Sequence, residues 1–257
     1  MVNRVLRRFL LLALAAAGLA ATAAPRTIYV ARHGQVGDKT RYDAQIGEPT
    51  LTALGEEQAQ LLGKYLTRKC GFAGAIVVSP FCRTIQTALP VAAALKTKVL
   101  LEPGVQEVAP QAEPAPRGMT LAEIEERFPG RTRPGKTFAD NWRLCREDFA
   151  ARERRVGAAL DRVLAEIPEG DILIVTHGGP INSLVRALNA RRADGVKSIR
   201  NLPWNCCLFV FELDAAGKVA KSRFTTEYLP DTKCTDNMRR TKLDDKKPGK
   251  QAKKVKP

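Results

Sequence analysis

The fold is decided by the stretch Thr27-Ile28-Tyr29-Val30-Ala31-Arg32-His33-Gly34, in which a short apolar run leads into a cation, an imidazole and a glycine. Its first five residues are β-branched, aromatic or small and predict a buried strand. In an open α/β sheet, ligands bind at the carboxyl ends of the strands. Arg32 and His33 are therefore candidate site residues, because a guanidinium binds phosphate through a planar fork of donors and an imidazole can act as a nucleophile or proton carrier. Gly34 allows the backbone to come close to a ligand.

The chain has only one other histidine, and it lies in a matching position. His177 follows a second predicted strand, residues 171–176, and is itself followed by Gly178 and Gly179. Two strands of one parallel sheet would bring both imidazoles to the same edge. The sequence therefore predicts a shared site at that edge.

Further motifs extend this pattern, namely Leu51-Thr52-x-x-Gly55-x-x-Gln58-Ala59, Ser79-Pro80-x-x-Arg83-x-x-Gln86-Thr87-Ala88 and Glu107. Together with Arg32-His33-Gly34 and His177-Gly178-Gly179, they resemble branch 1 of the histidine phosphatase superfamily, also called the phosphoglycerate mutase-like family. The resemblance spans about residues 27–190. It implies a three-layer α/β/α sandwich with a mostly parallel central sheet.

The resemblance also implies a reaction and a set of site residues. The expected reaction is hydrolysis of small phosphomonoesters through a phosphohistidine on His33, with Glu107 as general acid and base. The expected phosphate-binding residues are Arg32, Arg83, a protonated His177, Gly34 and Gly178. No metal and no other cofactor is expected, because the cations that neutralise the phosphoryl group are built into the chain.

Two positions leave alternatives open. Members of the family often place an asparagine six residues after the nucleophilic histidine, where this chain has Lys39 in an ungapped count. A lysine can bind an anion, so Lys39 is also a candidate substrate-binding residue. Glu102 is the alternative to Glu107 as proton donor, since it is nearer to the predicted strand 99–101. Glu107 is preferred because it matches the family's segment of a strand followed by E-P-x-hydrophobic-x-E.

Several local patterns predict where helices begin and end. Thr52 is a predicted N-cap, and Ser79 with Pro80 predicts the start of the helix that carries Arg83. Pro90 predicts that this helix ends or kinks near residue 89. An apolar stripe predicts the buried face of one long helix, formed by Phe138, Trp142, Cys145, Phe149, Val156, Leu160, Val163 and Ile167. Two strands, 207–213 and 221–228, predict a hairpin at the edge of the sheet.

The first residues predict export. Residues 1–24 resemble a secretory signal peptide, with several arginines before an apolar run that is short for a membrane span and ends in a small-x-small pattern. We expect cleavage and a periplasmic or secreted protein. The alternative is an uncleaved segment that anchors the protein in a membrane.

The remaining chain divides into a domain and a tail. Residues 25–230 predict one histidine phosphatase domain, in which residues 103–140 form an insertion that caps the substrate. Residues 231–257 predict a basic, disordered tail, and the formal net charge of the chain is +15. A basic tail is able to contact an anionic surface. No nucleic-acid-binding motif is present, so no nucleic-acid partner is predicted.

The six cysteines permit disulfides in an exported protein, but their spacing neither assigns a pairing nor suits a zinc site. Two functions other than hydrolysis fit the same motifs. One is a phosphomutase of the phosphoglycerate type, and the other is a non-catalytic anion-binding protein on the same scaffold. The physiological substrate and the oligomeric state are left open by the sequence.

Overall fold

The computed structural model describes residues 24–37, 50–108, 117–143 and 146–235. Most of the predicted signal peptide, the candidate residue Lys39, Cys145 and the chain beyond residue 235 lie outside the described residues. None of the described helices is long and apolar enough to span a bilayer.

A central sheet organises the described residues. Its strands are β1 Arg26–Arg32, β2 Ala75–Val78, β3 Val99–Leu101, β4 Thr132–Pro134, β5 Ile172–Thr176, β6 Leu208–Leu213 and β7 Val219–Thr225. They form one seven-stranded sheet in the order β4-β3-β2-β5-β1-β6-β7. The first five strands are mutually parallel, whereas β6 runs antiparallel to β1 and pairs with β7 in a hairpin at the edge. The mostly parallel sheet and the edge hairpin are confirmed.

Helices cover both faces of this sheet. They are α1 Ala53–Lys64, α2 Cys82–Ala94, α3 Leu121–Arg127, α4 Phe149–Glu166 and α5 Gly178–Asn189, and Tyr65–Lys69 adds a π-helical turn after α1. Alternate residues of β1 point to opposite faces, as strand geometry requires. Tyr29 and Ala31 pack with α1 and α2, while Ile28 and Val30 pack with α4 and α5. The predicted three-layer α/β/α sandwich is therefore confirmed.

The start of α2 differs from the prediction. Ser79 does not cap the helix, which begins at Cys82 with Phe81 at the N-cap position. The backbone of Ser79 still belongs to the sheet, because its N–H donates to the carbonyl of Val175. The hydroxyl of Thr84 donates to the carbonyls of Ser79 and Phe81, which fixes the turn before the helix.

Of the two outcomes predicted for Pro90, an end of the helix near residue 89 is wrong. The helix continues through Pro90 to Ala94. Packing explains this, since Val91 and Ala92 are buried beyond the proline and Pro90 lies against Gly63 of α1. These contacts offset the missing backbone hydrogen bond.

The predicted long helix over residues 138–167 is also wrong in its first third. Helix α4 begins at Phe149, where the side chain of Asp148 accepts a hydrogen bond from the Ala151 N–H. Phe149 is 55% exposed instead of buried. Trp142 is buried outside this helix and donates through Nε1 to the Met119 carbonyl.

The parallel strand β4 and the packing of the residues after 230 were not predicted from the sequence. Strand β4, which the sequence analysis missed, lies within the predicted capping insertion 103–140 and extends the sheet beside β3. At the other end, the chain stays packed beyond residue 230 as far as Thr235, which is 1% exposed. Among the described cysteines, Cys70, Cys206 and Cys207 are free thiols.

Candidate active site

The two histidines meet at the carboxyl edge of the sheet. β1 and β5 are adjacent and parallel, and the last residue of β1, Arg32, pairs in register with Thr176. His33 and His177 therefore follow neighbouring strand ends at the same level. Their ring centroids lie 5.3 Å apart, and both side chains are buried.

Hydrogen bonds fix the orientation of the His33 ring. Its Nδ1 lies 2.7 Å from the carbonyl oxygen of Gly34, and because a carbonyl only accepts, Nδ1 carries a proton. When the ring is neutral, the lone pair is therefore on Nε2. The Gly34 N–H donates to the Thr87 hydroxyl at 2.9 Å. A Cβ at Gly34 would lie 2.5 Å from the Gly55 carbonyl oxygen, so only glycine fits this close approach.

His177 is held between Arg83 and Ser79. Arg83 Nε donates to His177 Nδ1 at 3.2 Å, and His177 Nε2 lies 2.9 Å from Ser79 Oγ. An acceptor Nδ1 requires a neutral imidazole that carries its proton on Nε2. Burial, and then the charges of Arg83, His33 and Arg32, lower the pKa of His177 well below its usual 6.5. His177 is therefore neutral in this arrangement, and its expected protonation beside a bound phosphoryl group stays a prediction.

The arginines reach the same edge from different elements. Arg83 stacks its guanidinium over the Phe81 ring at 4.5 Å, and only 9% of the side chain is exposed. Arg32 is half-buried and donates through Nη1 to the carbonyl of Pro203. Its guanidinium carbon lies 3.8 Å from the point that a Cβ on Gly178 would occupy. A Cβ at position 178 would thus make only an ordinary van der Waals contact with Arg32 at the start of α5.

The two candidate proton donors have different surroundings. Glu107 is half-buried, and its Oε2 accepts a hydrogen bond of 3.3 Å from the Gly179 N–H at the start of α5. Glu102 is buried and accepts hydrogen bonds from the Gly104 N–H and the Thr137 hydroxyl. Its carboxylate also pairs with Arg162 at 3.3 Å. Glu102 is thus engaged in holding its own loop, whereas Glu107 lies at the helix end that follows His177.

The sequence analysis missed Ser79 and Arg155 as site residues. Ser79 was interpreted only as a helix cap. Arg155 donates to the carbonyls of Gly104 and Gln106 and pairs with Glu147, so it fixes the loop that leads to Glu107. Its position on the polar face of α4 gave no signal, since every turn of a surface helix carries such residues.

The described part of the site is rich in cations. Arg32, Arg83 and Arg155 all contribute to the electrostatic environment of His177. Within the described ranges, no cluster of three or more His, Cys, Asp or Glu side chains is arranged as a metal site. The arrangement can bind a compact anion next to an imidazole whose Nε2 carries a lone pair.

Comparisons with known proteins agree with this geometry. The model of the histidine phosphatase superfamily (branch 1) matches residues 28–226. The chain is 32% identical over 169 residues to a bifunctional protein of Mycobacterium tuberculosis. The aligned region covers 65% of this chain and 45% of that protein. It is 31% identical over 164 residues to the probable phosphoglycerate mutase GpmB of Yersinia enterocolitica, covering 63% and 74%. The chain thus spans about half the length of the mycobacterial relative.

Solved structures show the same fold. The ecdysone phosphate phosphatase of Bombyx mori, in complex with tungstate, superposes with a TM-score of 0.57 at 20% identity, over 80% of this chain and 93% of that one. The phosphoglycerate mutase of Bacillus anthracis gives 0.50 at 18% identity, over 81% and 95%. Because the family model matches most of the chain, this protein belongs to branch 1 of the histidine phosphatase superfamily.

Proposed function

We propose that the protein is an exported, metal-independent phosphatase that hydrolyses small phosphomonoesters through a phosphohistidine on His33. The observation that carries this proposal is the hydrogen bond between His33 Nδ1 and the Gly34 carbonyl, which makes Nε2 the nitrogen with the lone pair in the neutral ring. A buried imidazole with a fixed tautomer is pre-organised as a nucleophile.

In the first step, His33 Nε2 attacks phosphorus, the N–P bond forms, and the ester P–O bond breaks. Glu107 gives its proton to the departing alkoxide. Arg32 and Arg83 stabilise the negative charge on the phosphoryl oxygens. The charge of the bound phosphoryl group favours a second proton on His177, at Nδ1, which then donates to a phosphoryl oxygen while Nε2 keeps its contact with Ser79 and Arg83 Nε turns from the ring to the phosphoryl group.

In the second step, water replaces the enzyme at phosphorus. Glu107, now ionised, accepts a proton from water, the P–O bond to that oxygen forms, and the N–P bond breaks. Inorganic phosphate leaves and His33 is regenerated. The position of Glu107 beside the Gly179 N–H supports this dual role, because its carboxyl group lies at the start of the helix that follows His177.

Export is proposed on the basis of residues 1–24. They combine basic residues, an apolar run and a small-x-small pattern before Ala24 and Pro25. N-terminal sequencing of protein recovered from a bacterial periplasm tests this proposal. A mature chain that begins at Ala24 or Pro25 would support export, and a chain that retains residues 1–24 would contradict cleavage.

Turnover of p-nitrophenyl phosphate in the presence of a chelator tests the proposed activity. We expect chelator-resistant release of phosphate by the wild type and no release by H33A. Loss of the wild-type activity on chelation would contradict metal independence. Substantial activity of H33A would contradict the role of His33.

A phosphomutase is the second candidate, and the likeness to the probable phosphoglycerate mutase of Yersinia enterocolitica favours it. A mutase would move the phosphoryl group between two hydroxyls of one substrate without release. Phosphorus NMR of a phosphoglycerate mixture distinguishes the two, since a mutase equilibrates the positional isomers whereas a phosphatase gives inorganic phosphate.

A further inference from the structure

A buried polar network joins the C-terminal part of the described chain to the loop of His33. It contains Asn205, Gln58 and Thr235, each of which is at most 1% exposed. These residues come from three distant parts of the sequence, and none belongs to the phosphate-binding residues described above.

Two side-chain amides hold the His33 loop from opposite sides. Asn205 Nδ2 donates to the carbonyl oxygen of His33 at 3.1 Å. Gln58 Oε1 accepts from the N–H of Gln35 at 2.7 Å. The loop of residues 33–35 is therefore fixed at its first carbonyl and its last N–H, with the Gly34 carbonyl between them.

A single hydroxyl connects the two amides. Thr235 Oγ1 accepts a hydrogen bond from Gln58 Nε2 at 2.9 Å and donates one to Asn205 Oδ1 at 3.1 Å. An amide presents donors at one end and an acceptor at the other. The contact with Thr235 thus orients Asn205 with its donor toward His33, and Gln58 with its acceptor toward Gln35.

The backbone places Thr235 securely at this junction. The Asn205 N–H donates to the Thr235 carbonyl at 2.7 Å, and Gln58 Nε2 also donates to the carbonyl of Lys233 at 2.6 Å. The 3₁₀ turn Asp231–Lys233 leads the chain into these contacts.

We propose that Thr235 is a positioning residue for the nucleophile. Through Asn205 and Gln58, its hydroxyl fixes the loop that presents the Gly34 carbonyl to His33 Nδ1, and so it maintains the tautomer with the lone pair on Nε2. The kinetic part of this inference rests on the proposed function, in which His33 attacks phosphorus. The structural part concerns the tautomer alone.

Residues 231–235 therefore belong to the catalytic domain, although their composition resembles a tail. A role in positioning predicts an effect on the chemical step. Binding of the phosphoryl group depends on Arg32, Arg83 and His177, whereas the hydrogen bonds described above for the network run to the backbone of His33 and Gln35, so substrate affinity should change little.

The test compares T235V and T235S in the full chain. Valine matches the shape of threonine but lacks the hydroxyl, whereas serine keeps it. We expect T235V to lower kcat for p-nitrophenyl phosphate by about 10- to 100-fold with KM changed by less than about 2-fold. T235S should keep most of the activity. L229A is the control for stability alone, because it removes a buried side chain from the same segment outside the network.

A second readout does not depend on activity. Because the chain has only two histidines, ¹⁵N-histidine labelling gives two imidazoles, and the H177N variant assigns them. We expect His33 to be the Nδ1–H tautomer in the wild type and T235S, and a mixture of tautomers in T235V. If T235V does not fold, T235A removes the same hydroxyl without placing a methyl group there.

Wild-type kcat and an unchanged His33 tautomer in T235V would overturn the inference. So would an equal loss of kcat in L229A and T235V at equal stability. A protein without phosphatase activity but with the predicted tautomer change would contradict the proposed function and leave the positioning role supported.

Discussion

Arg83 Nε donates a hydrogen bond to His177 Nδ1 at 3.2 Å, and this contact decides the protonation state of the histidine. An arginine cannot accept, so Nδ1 must carry the lone pair. The Nε2 proton of His177 then points at Ser79 Oγ, 2.9 Å away. Two residues that the family resemblance assigns separately to phosphate binding are thus one hydrogen-bonded unit, extended by a serine.

Stability should fall at acid pH because of His177. Burial lowers its pKa in the folded protein well below 6.5, while the unfolded chain keeps an ordinary value. Below about pH 6.5 the unfolded state therefore binds a proton that the folded state excludes, and the free energy of unfolding falls by up to about 1.4 kcal/mol per pH unit. Above this range the contribution is constant.

Urea denaturation between about pH 5 and pH 8 checks this prediction in the wild type and H177N. The asparagine variant cannot titrate, so its stability should depend less on pH below about pH 6.5. Parallel pH dependences in the two proteins would contradict the assignment of a neutral His177.

Ser79 should contribute to phosphate binding through His177. The variant S79A removes the partner of the Nε2 proton and leaves a buried donor unsatisfied, which costs about 1–3 kcal/mol. We expect the inhibition constant of inorganic phosphate to rise, because the His177 ring loses the contact that orients it. A loss of about 1.4 kcal/mol in binding free energy would correspond to a rise of about 10-fold. Product inhibition assays measure it, and an unchanged constant would show that Ser79 does not orient His177 for binding.

Substitution of Glu107 should affect mainly kcat, whereas substitution of Glu102 should affect mainly stability. E107Q removes the proposed proton donor and should lower kcat for an alkyl phosphate by about 100-fold or more, with a smaller loss for p-nitrophenyl phosphate, whose leaving group needs no proton. E102Q should keep kcat near the wild type and lower the melting temperature, since Glu102 bonds to its own loop and to Arg162. The opposite pattern would assign the proton transfer to Glu102.

Gly34 should tolerate no side chain. The Cβ of G34A would lie 2.5 Å from the Gly55 carbonyl oxygen, and backbone atoms cannot move aside cheaply. We expect a loss of about 1–3 kcal/mol of unfolding free energy, together with activity. G37A is the matched control, because among the described residues its Cβ would meet only Thr52 Cγ2, at 4.0 Å. Equal stability of the two variants would contradict the described packing.

The sequence predicted the elements whose signals are local. β1 and β5 were predictable because each contains an apolar run, residues 28–31 and 172–175, with a histidine two residues after it. The predicted N-cap Thr52 is confirmed, since its hydroxyl accepts from the Gly55 N–H. Histidines at the ends of parallel strands were therefore expected at one edge, as the register of Arg32 with Thr176 shows.

The missed features depend on contacts between distant segments. The three-residue strand β4 ends in a proline and is formed by pairing with β3, not by its own propensity. Thr235 stands in a charged, polar stretch, and only the contacts with Gln58 and Asn205 make it a buried residue. The neutral state of His177 likewise follows from the direction of one hydrogen bond, which composition and spacing do not specify.

Trapping of the phosphoenzyme is the direct test of whether His33 is the nucleophile. Rapid quenching of the wild type with a ³²P-labelled phosphomonoester should give a phosphorylated protein whose label is lost in acid and kept in base, as a phosphohistidine requires. Because the chain has only two histidines, H33A and H177A assign the site between them. The account predicts no labelled protein in H33A and a label still formed, more slowly, in H177A. A label that persists in H33A would contradict the assignment of His33 as the nucleophile.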